Sequence, residues 1–529
     1  MRALPSQLHG QLRKLLFVLA GFAFFLFAAN QLAGMVLGGD TTGLMFLGLI
    51  VIVGACVISM LNDWRTGTFV FFGWLFFEDL ARKYLGNNMV IYFGKDFLVA
   101  IVYLSFFLAY RRKEIKLFRP PFLVPLLLFF WFGLLQVFNP ASTSIFYGIL
   151  GMKLYFYYVP LLYVGYAFVR SEEDLRKFYP FLMVIFIIIA GLGIVQSIAG
   201  PTFLNPSALQ EDIRELSTTY RVSPITGAIA YRPNAVFVSA GRFAFFLVPA
   251  WLFAFGFSGY LLLRSRKRRL LSLLAVGCIS LAIVMCASRG TLMWTLGSAV
   301  VCVPALIWGC PWQKGQLVRV LRSFQRAAVV AVFAVLVMFL LYPDAVKAHF
   351  AIYEETLSPN SSANELVHRT QTYPLQQLGY AFTYPRWPYG YGIGTASLGI
   401  QYVMRIMHAS YMGIAVESGY GILLLELGIV GLILYIILSV SIVVTAAKLA
   451  FKLKNTPWFP LAFSIFWYCC LFLIGYVWGG FQTFEDFILN SLLWFSLGIL
   501  FRLPTLTMNA EGPAQPAPVP ARIRFPGMA

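Results

Sequence analysis

The chain has 529 residues, of which 60% are hydrophobic and only 12% charged, with a mean hydropathy of +0.78 and a formal net charge of +19. About a quarter of the residues in an ordinary soluble domain are charged, so this composition excludes one. A basic surplus suggests nucleic acid only when it gathers on one soluble face, and here it lies mostly in short loops between apolar runs.

Met1 to Lys14 is a short basic lead-in. The apolar run after it exceeds a signal-peptide core and lacks a small-residue cleavage site, so no cleavable signal is expected. Stretches of roughly 20 apolar residues, the length that crosses a bilayer, recur from there onward. They predict helices near 15–37, 43–61, 66–81, 95–110, 122–138, 153–169, 178–199, 235–263, 270–287, 291–309, 327–342, 417–446, 458–478 and 487–501. The third and sixth of these suit a re-entrant or tilted segment as well as a span. The expected fold is all-α, a polytopic membrane protein with about 14 transmembrane helices, 12 at the least, and one large outer loop.

The expected organisation is N-terminal transmembrane helices over 1–199, a first outer loop over 200–234 and central transmembrane helices over 235–342. A large outer loop follows over 343–416, then C-terminal transmembrane helices over 417–502 and a Pro/Ala-rich, disordered tail over 503–529. Most of the 40 Lys and Arg residues fall in the loops that are cytoplasmic if both termini are, which sets the orientation. The seven cysteines sit in or beside apolar spans without metal-like spacing, and the chain has four histidines, so no zinc site is expected.

The chemistry-bearing residues fall on the outer side of this topology. Arg232 opens Arg232-Pro-Asn-Ala-Val-Phe237, and Arg242 follows within the next helix. Arg289 lies in Ala287-Ser-Arg-Gly290, between two helices with almost no loop. Arg369 follows His368, and His408 and Glu417 come last. An arginine near a membrane costs about 2.5–3.5 kcal/mol at a helix centre, so it faces protein or water and has a partner. Acidic residues are too few outside to pair with all of them, and guanidinium forks suit phosphate oxygens. Arg232 and Arg289 are therefore expected to converge on one outer cavity, with no local acidic partner. Arg242 serves equally well as a snorkelling anchor or a buried residue. Glu78-Asp79 with Arg82-Lys83 is most simply a charge-paired helix end, and His349 and His368 are ordinary loop residues. Tyr373, Tyr384, Trp387, Tyr389 and Tyr391 suit either an interfacial belt or a sugar-stacking surface.

Three stretches together resemble the O-antigen ligase and O-antigen polymerase superfamily. Arg232-Pro-Asn-Ala-Val-Phe-Val-Ser-Ala-Gly241 is similar to that family's Arg-x-x-Gly-Thr-Phe-x-Asn-Pro-Asn segment at the Arg and the Phe, and departs from it at Ser239, Ala240 and Gly241. Ala287-Ser-Arg-Gly290 is similar to its Ser-Arg-Gly motif. Glu417-Ser-Gly-Tyr420, running on to Glu426-Leu-Gly428, resembles its His-Asn-x-Tyr-Leu…Glu-x-Gly element, after a matching Pro388…Gly392-x-Gly394. The likeness covers about 225 to 435 and reaches the first 200 residues only through helix pattern.

The resemblance implies a metal-independent glycosyltransferase of the bacterial inner membrane with no cofactor. Its donor would be a polyprenyl-diphosphate-linked oligosaccharide at the outer face, its acceptor a glycan or lipid A core, and its surroundings membrane lipids with no nucleic acid. Arg232, Arg289 and Arg369 would bind the diphosphate. Glu417, where many members carry a histidine, or His408 would be the catalytic base. Trp387, Tyr391 and Tyr420 would contact sugar, and 343–416 would cover the site. Glu426 lies about half a helical turn out of phase with Glu417 and is assigned to packing. The Glu-for-His change favours a polymerase over a ligase; a transporter for the same lipid-linked glycans is the reading of a different class.

Overall fold

A computed structural model describes residues 54–85, 89–206, 219–264, 269–312, scattered positions between 318 and 340, 341–397, Met404, Ile414, 416–480 and 484–510. Helix dominates. After a helical stretch at 54–62, the elements are α1 (Trp64–Leu85), α2 (Met89–Arg111), α3 (Leu123–Gln136), α4 (Ile145–Phe156), α5 (Leu161–Phe168) and α6 (Glu172–Ala199). A two-stranded antiparallel hairpin follows, β1 (Tyr220–Val222) with β2 (Ile229–Tyr231), in the register Arg221 opposite Ala230. Then come α7 (Ala240–Arg264), α8 (Arg269–Met285), α9 (Arg289–Gly309), α10 (Pro343–Leu357), a π-turn at His368–Thr372 and α11 (Tyr373–Ala381). The chain closes with α12 (Gly419–Lys452), α13 (Phe459–Trp478, with a π-turn at Leu471–Gly475) and α14 (Phe487–Ala510).

Among the described residues, eight helices are long and apolar enough to cross a membrane, counting α4 and α5 together as one. Two further apolar helices, α3 and α8, have 14 and 17 residues. Of the fourteen expected spans, 15–37 and most of 43–61 lie outside the described residues, as does much of 327–342. The span expected at 66–81 is the 22-residue α1, which stands outside the eight because it carries Arg65, Glu78, Asp79, Arg82 and Lys83. That expected at 153–169 is broken by a turn at 157–160 ending in Pro160. The helix expected from 235 begins at Ala240, because Ala235 is held at φ 47°. Residues 343–397, expected as loop, are largely helical: Pro at the first turn opens both α10 and α11.

Two compact units divide the chain: Met1–Val70 with Leu98–Ser105, and Phe71–Phe97 with Phe106–Ala529. In the first, Asp63 accepts from the backbone N–H groups of Arg65 (3.0 Å) and Thr66 (3.2 Å) and so caps α1. The second holds all the residues discussed below. There, Ser171 and Asp174 cap α6, and the Ser171 N–H donates to the Asp174 carboxylate at 2.9 Å. Helices α5 and α14 meet through glycine: a Cβ on Gly165 would lie 2.1 Å from the Phe495 carbonyl oxygen, and one on Gly498 2.1 Å from that of Leu162. Small residues of this kind let apolar helices approach where lipid offers no hydrophobic drive. Side chains such as Leu128, Trp131 and Leu135 on α3 stay exposed, a face suited to acyl chains.

Candidate functional site

The segment carrying Arg232 is held at both ends. Its N–H donates to the Thr219 carbonyl at 3.0 Å, closing the hairpin. Beyond it, the buried Gln196 side chain accepts from the N–H groups of Asn234 (3.0 Å) and Ala235 (2.6 Å), and Lys83 Nζ donates to the Ala235 carbonyl at 2.7 Å. Asp79 accepts from the Val238 N–H at 3.3 Å, pairs with Arg82 at 3.0 Å and also takes Arg242, which lies 3.6 Å from Asp486. Glu78 pairs with Lys95 at 2.8 Å. The charges of α1 are thus a buried network across several elements and not a self-paired helix end. Arg242 belongs to it and is no snorkelling anchor. The cost of burying these charges is offset because Lys95, Arg242 and the Ala235 carbonyl come to them from other elements.

Arg289 is the first residue of α9, and the tight turn before it is made by Ala287 at φ 50°. It pairs with Glu365 at 2.9 Å, and Glu365 also binds Arg369 at 3.2 Å. The expectation of no local acidic partner for Arg289 holds only along the sequence: the fold supplies Glu365, 76 positions on in the chain, in the connection after α10. Arg221, on β1, completes the group. Burial pushes its pKa down to about 10, with the like charges of Arg289, Arg232 and Arg369 acting the same way and Glu365 opposing them. Burial, with Arg289, also lowers the pKa of Arg232, whose Nε is buried without a hydrogen-bond partner among the described residues. Burial would raise the pKa of Glu365, but hydrogen bonds and charge from Arg289 and Arg369 hold it below the usual carboxylate range. Four guanidinium groups against one carboxylate leave a surplus of three positive charges among the described residues. Such a surplus suits a multivalent oxyanion.

Glu365 then competes with any anion that binds there. Glu365→Gln is expected to tighten binding of inorganic pyrophosphate by about tenfold, the effect of one unit charge screened near a protein surface. Titration of the purified protein in nanodiscs checks this. Weaker binding would make Glu365 an organiser of Arg289 and Arg369 and not a competitor.

From Arg369 the contacts run on to Glu417. The Arg369 guanidinium lies 4.9 Å from the centre of the Tyr373 ring, and the Tyr373 hydroxyl donates a short hydrogen bond to Glu417 Oε2. That bond, with burial adding to it, raises the pKa of the Tyr373 phenol and so keeps it a donor. The Glu417 N–H donates to Gln377 Oε1 at 3.1 Å, and Trp478 Nε1 donates to the Thr370 carbonyl at 3.0 Å, tying this stretch to α13. Glu417 itself is exposed, one residue before Ser418, the N-cap of α12. A solvent-facing carboxylate beside an anion-binding group is an arrangement for taking a proton from a hydroxyl.

No family model matches the chain, and neither a curated protein nor a solved structure does. Among the described residues, no group of three or more His, Cys, Asp or Glu side chains is disposed to hold a metal ion.

Among the described residues, no contact joins the remaining sequence-predicted residues to this group. His408 is outside the described residues. Trp387 packs edge-on against Phe382, with ring centres 5.0 Å apart, and Tyr391 against Tyr384 at 6.4 Å. Tyr420 lies on α12 against Tyr435 at 6.4 Å. None of the three contacts an arginine of the cluster among the described residues. The Gly/aromatic stretch instead docks by its backbone on α12: Tyr391 N–H donates to the Leu425 carbonyl at 2.7 Å and Gly392 N–H to that of Glu426 at 3.0 Å. The buried Glu426 side chain accepts from Tyr155 (2.8 Å), Ala396 N–H (3.0 Å) and Ser397 (2.9 Å), which fastens the same stretch. Sequence reasoning missed Arg221, Glu365 and the role of Tyr373. Signals existed for two: Pro224-Ile-Thr-Gly227 between alternating apolar residues marks a hairpin, and Glu365 precedes Arg369 by four residues.

Proposed function

We propose that the protein is a glycosyltransferase of the bacterial inner membrane that uses a polyprenyl-diphosphate-linked glycan as donor at the outer face. The observation that carries this reading is the surplus of guanidinium groups around Glu365, joined through Tyr373 to an exposed carboxylate. Arg232, Arg289 and Arg369 bind the diphosphate while its lipid tail stays in the bilayer. Glu417 accepts the proton of the acceptor hydroxyl as that oxygen bonds to the anomeric carbon. The bond from that carbon to the phosphate oxygen breaks, its electron pair leaves on the diphosphate, and the anomeric carbon inverts. The guanidinium groups then do the work that metal ions perform in many transferases. The sequence departure at Glu417 favours chain extension on another lipid-linked repeat over transfer to lipid A core.

Arg289→Lys keeps the charge but loses the two-pronged fork. Turnover of a lipid-linked repeat in proteoliposomes should fall about a hundredfold, with expression unchanged. Full activity in that variant sinks the diphosphate-binding role. Movement of a labelled lipid-linked glycan across the bilayer without any chain extension would support the transporter reading.

A further inference from the structure

The hairpin that carries Arg221 is built with more care than a connecting loop needs. Its turn is closed by Ser223 N–H to the Ala228 carbonyl at 2.8 Å and Gly227 N–H to that of Ser223 at 3.1 Å. Glu355 of α10 accepts from the N–H groups of Ile225 (2.6 Å) and Thr226 (3.2 Å), fixing the turn from outside. His349, also on α10 and buried, lies 3.2 Å from the Tyr231 carbonyl on β2. Arg221 therefore stands at a set position, half-buried, on the hairpin face that also carries Ala230 opposite it and Arg232 opposite Thr219, and Ala230 packs with Ala287, two residues before Arg289. Glu365 is committed to Arg289 and Arg369, and no carboxylate among the described residues pairs with Arg221 within 4.0 Å.

We propose that Arg221 is a catalytic residue that contacts the diphosphate and matches the negative charge that appears only as the glycosidic bond breaks. This rests on the reading of the site as a diphosphate site. Among the described residues and without Arg221, the guanidinium groups of Arg232, Arg289 and Arg369 with the Glu365 carboxylate leave a surplus of two positive charges, equal to the two negative charges of a diphosphate diester, the form of the donor; the charge of Glu417, beyond Tyr373, is the one the acceptor proton neutralises. When the bond from the anomeric carbon to oxygen breaks, the electron pair stays on the phosphate oxygen, and the departing diphosphate monoester carries three. The acceptor proton passes to Glu417, so charge and atoms balance. With Arg221 the surplus is three, and the site fits the product of bond breaking better than the bound donor. Interactions stronger in the transition state than in the ground state are those that accelerate the step.

The test compares two soluble probes on the full chain in nanodiscs at pH 8: benzyl diphosphate, a monoester, and P1,P2-dibenzyl diphosphate, a diester. The wild-type protein should bind the monoester at least about tenfold more tightly. Arg221→Gln should weaken the monoester about thirtyfold and the diester no more than about threefold, which removes the preference. Equal weakening of both probes, or an unchanged preference, overturns the proposal. If Arg221→Gln does not fold, Arg221→Lys carries the test: it should weaken the monoester more than the diester, and equal weakening again overturns the role. Failure of the wild-type protein to bind either probe would refute the diphosphate reading itself.

Discussion

Glu417→Gln is expected to lower turnover about a thousandfold while affinity for inorganic pyrophosphate stays within a factor of two, the pattern of a lost general base. The substitution keeps size and hydrogen-bonding capacity but removes the basic oxygen. Glu417 is suited to the role because its backbone is fixed by Gln377 and, among the described residues, only Oε2 is taken, by the Tyr373 hydroxyl. Oε1 has no protein donor among the described residues and is open to an acceptor hydroxyl. Tyr373→Phe leaves the carboxylate in place without its donor, and turnover should fall only about tenfold, the worth of one hydrogen bond to a charged group. His408→Ala should be tolerated. Wild-type turnover in Glu417→Gln together with an inactive His408→Ala would transfer the base to His408.

Gly428→Ala is expected to destabilise the protein by roughly 3 kcal/mol, the combined cost of a glycine-only backbone conformation and an overpacked contact. Gly428 lies inside α12 at φ 69° and ψ −176°, where the helix is interrupted. A Cβ there would stand 2.6 Å from the Pro388 carbonyl oxygen and 2.7 Å from the Tyr389 carbonyl carbon. Both sides of that contact are backbone, so neither can turn aside. The interruption also frees backbone groups for partners outside the helix: Ile429 N–H donates to the Pro388 carbonyl of the docked stretch at 3.1 Å, and the Leu427 carbonyl accepts from Gln136 Nε2 of α3 at 3.2 Å. Gly428→Ala should therefore lower the melting temperature in detergent and expose 384–397 to limited proteolysis. A variant with wild-type melting and the same protease resistance would show that the docking does not depend on this glycine.

That interruption was not legible in the sequence. Glu426-Leu-Gly428 reads as the opening of an apolar run, because an isolated glycine is tolerated in a helix and nothing local demands φ above zero. The demand comes from Pro388 to Gly392, some forty positions away. The docking of the aromatic stretch was hidden for the same reason: tyrosine and tryptophan beside glycine suit sugar stacking or an interfacial belt, whereas the partners of its backbone groups lie on α12 and α3.

What the sequence determined by itself was the membrane character and most helix positions. Both follow from runs of apolar side chains, and the preference of such a run for lipid is summed residue by residue. It also marked Arg232, Arg289, Arg369 and Glu417 as residues needing a reason. Which groups meet was settled by contacts across the fold: Glu365 with Arg289, Asp79 with Arg242, Lys83 with the Ala235 carbonyl, and Arg221 with the arginines. A charge buried among helices must find its partner across the fold, and sequence spacing carries no record of that distance.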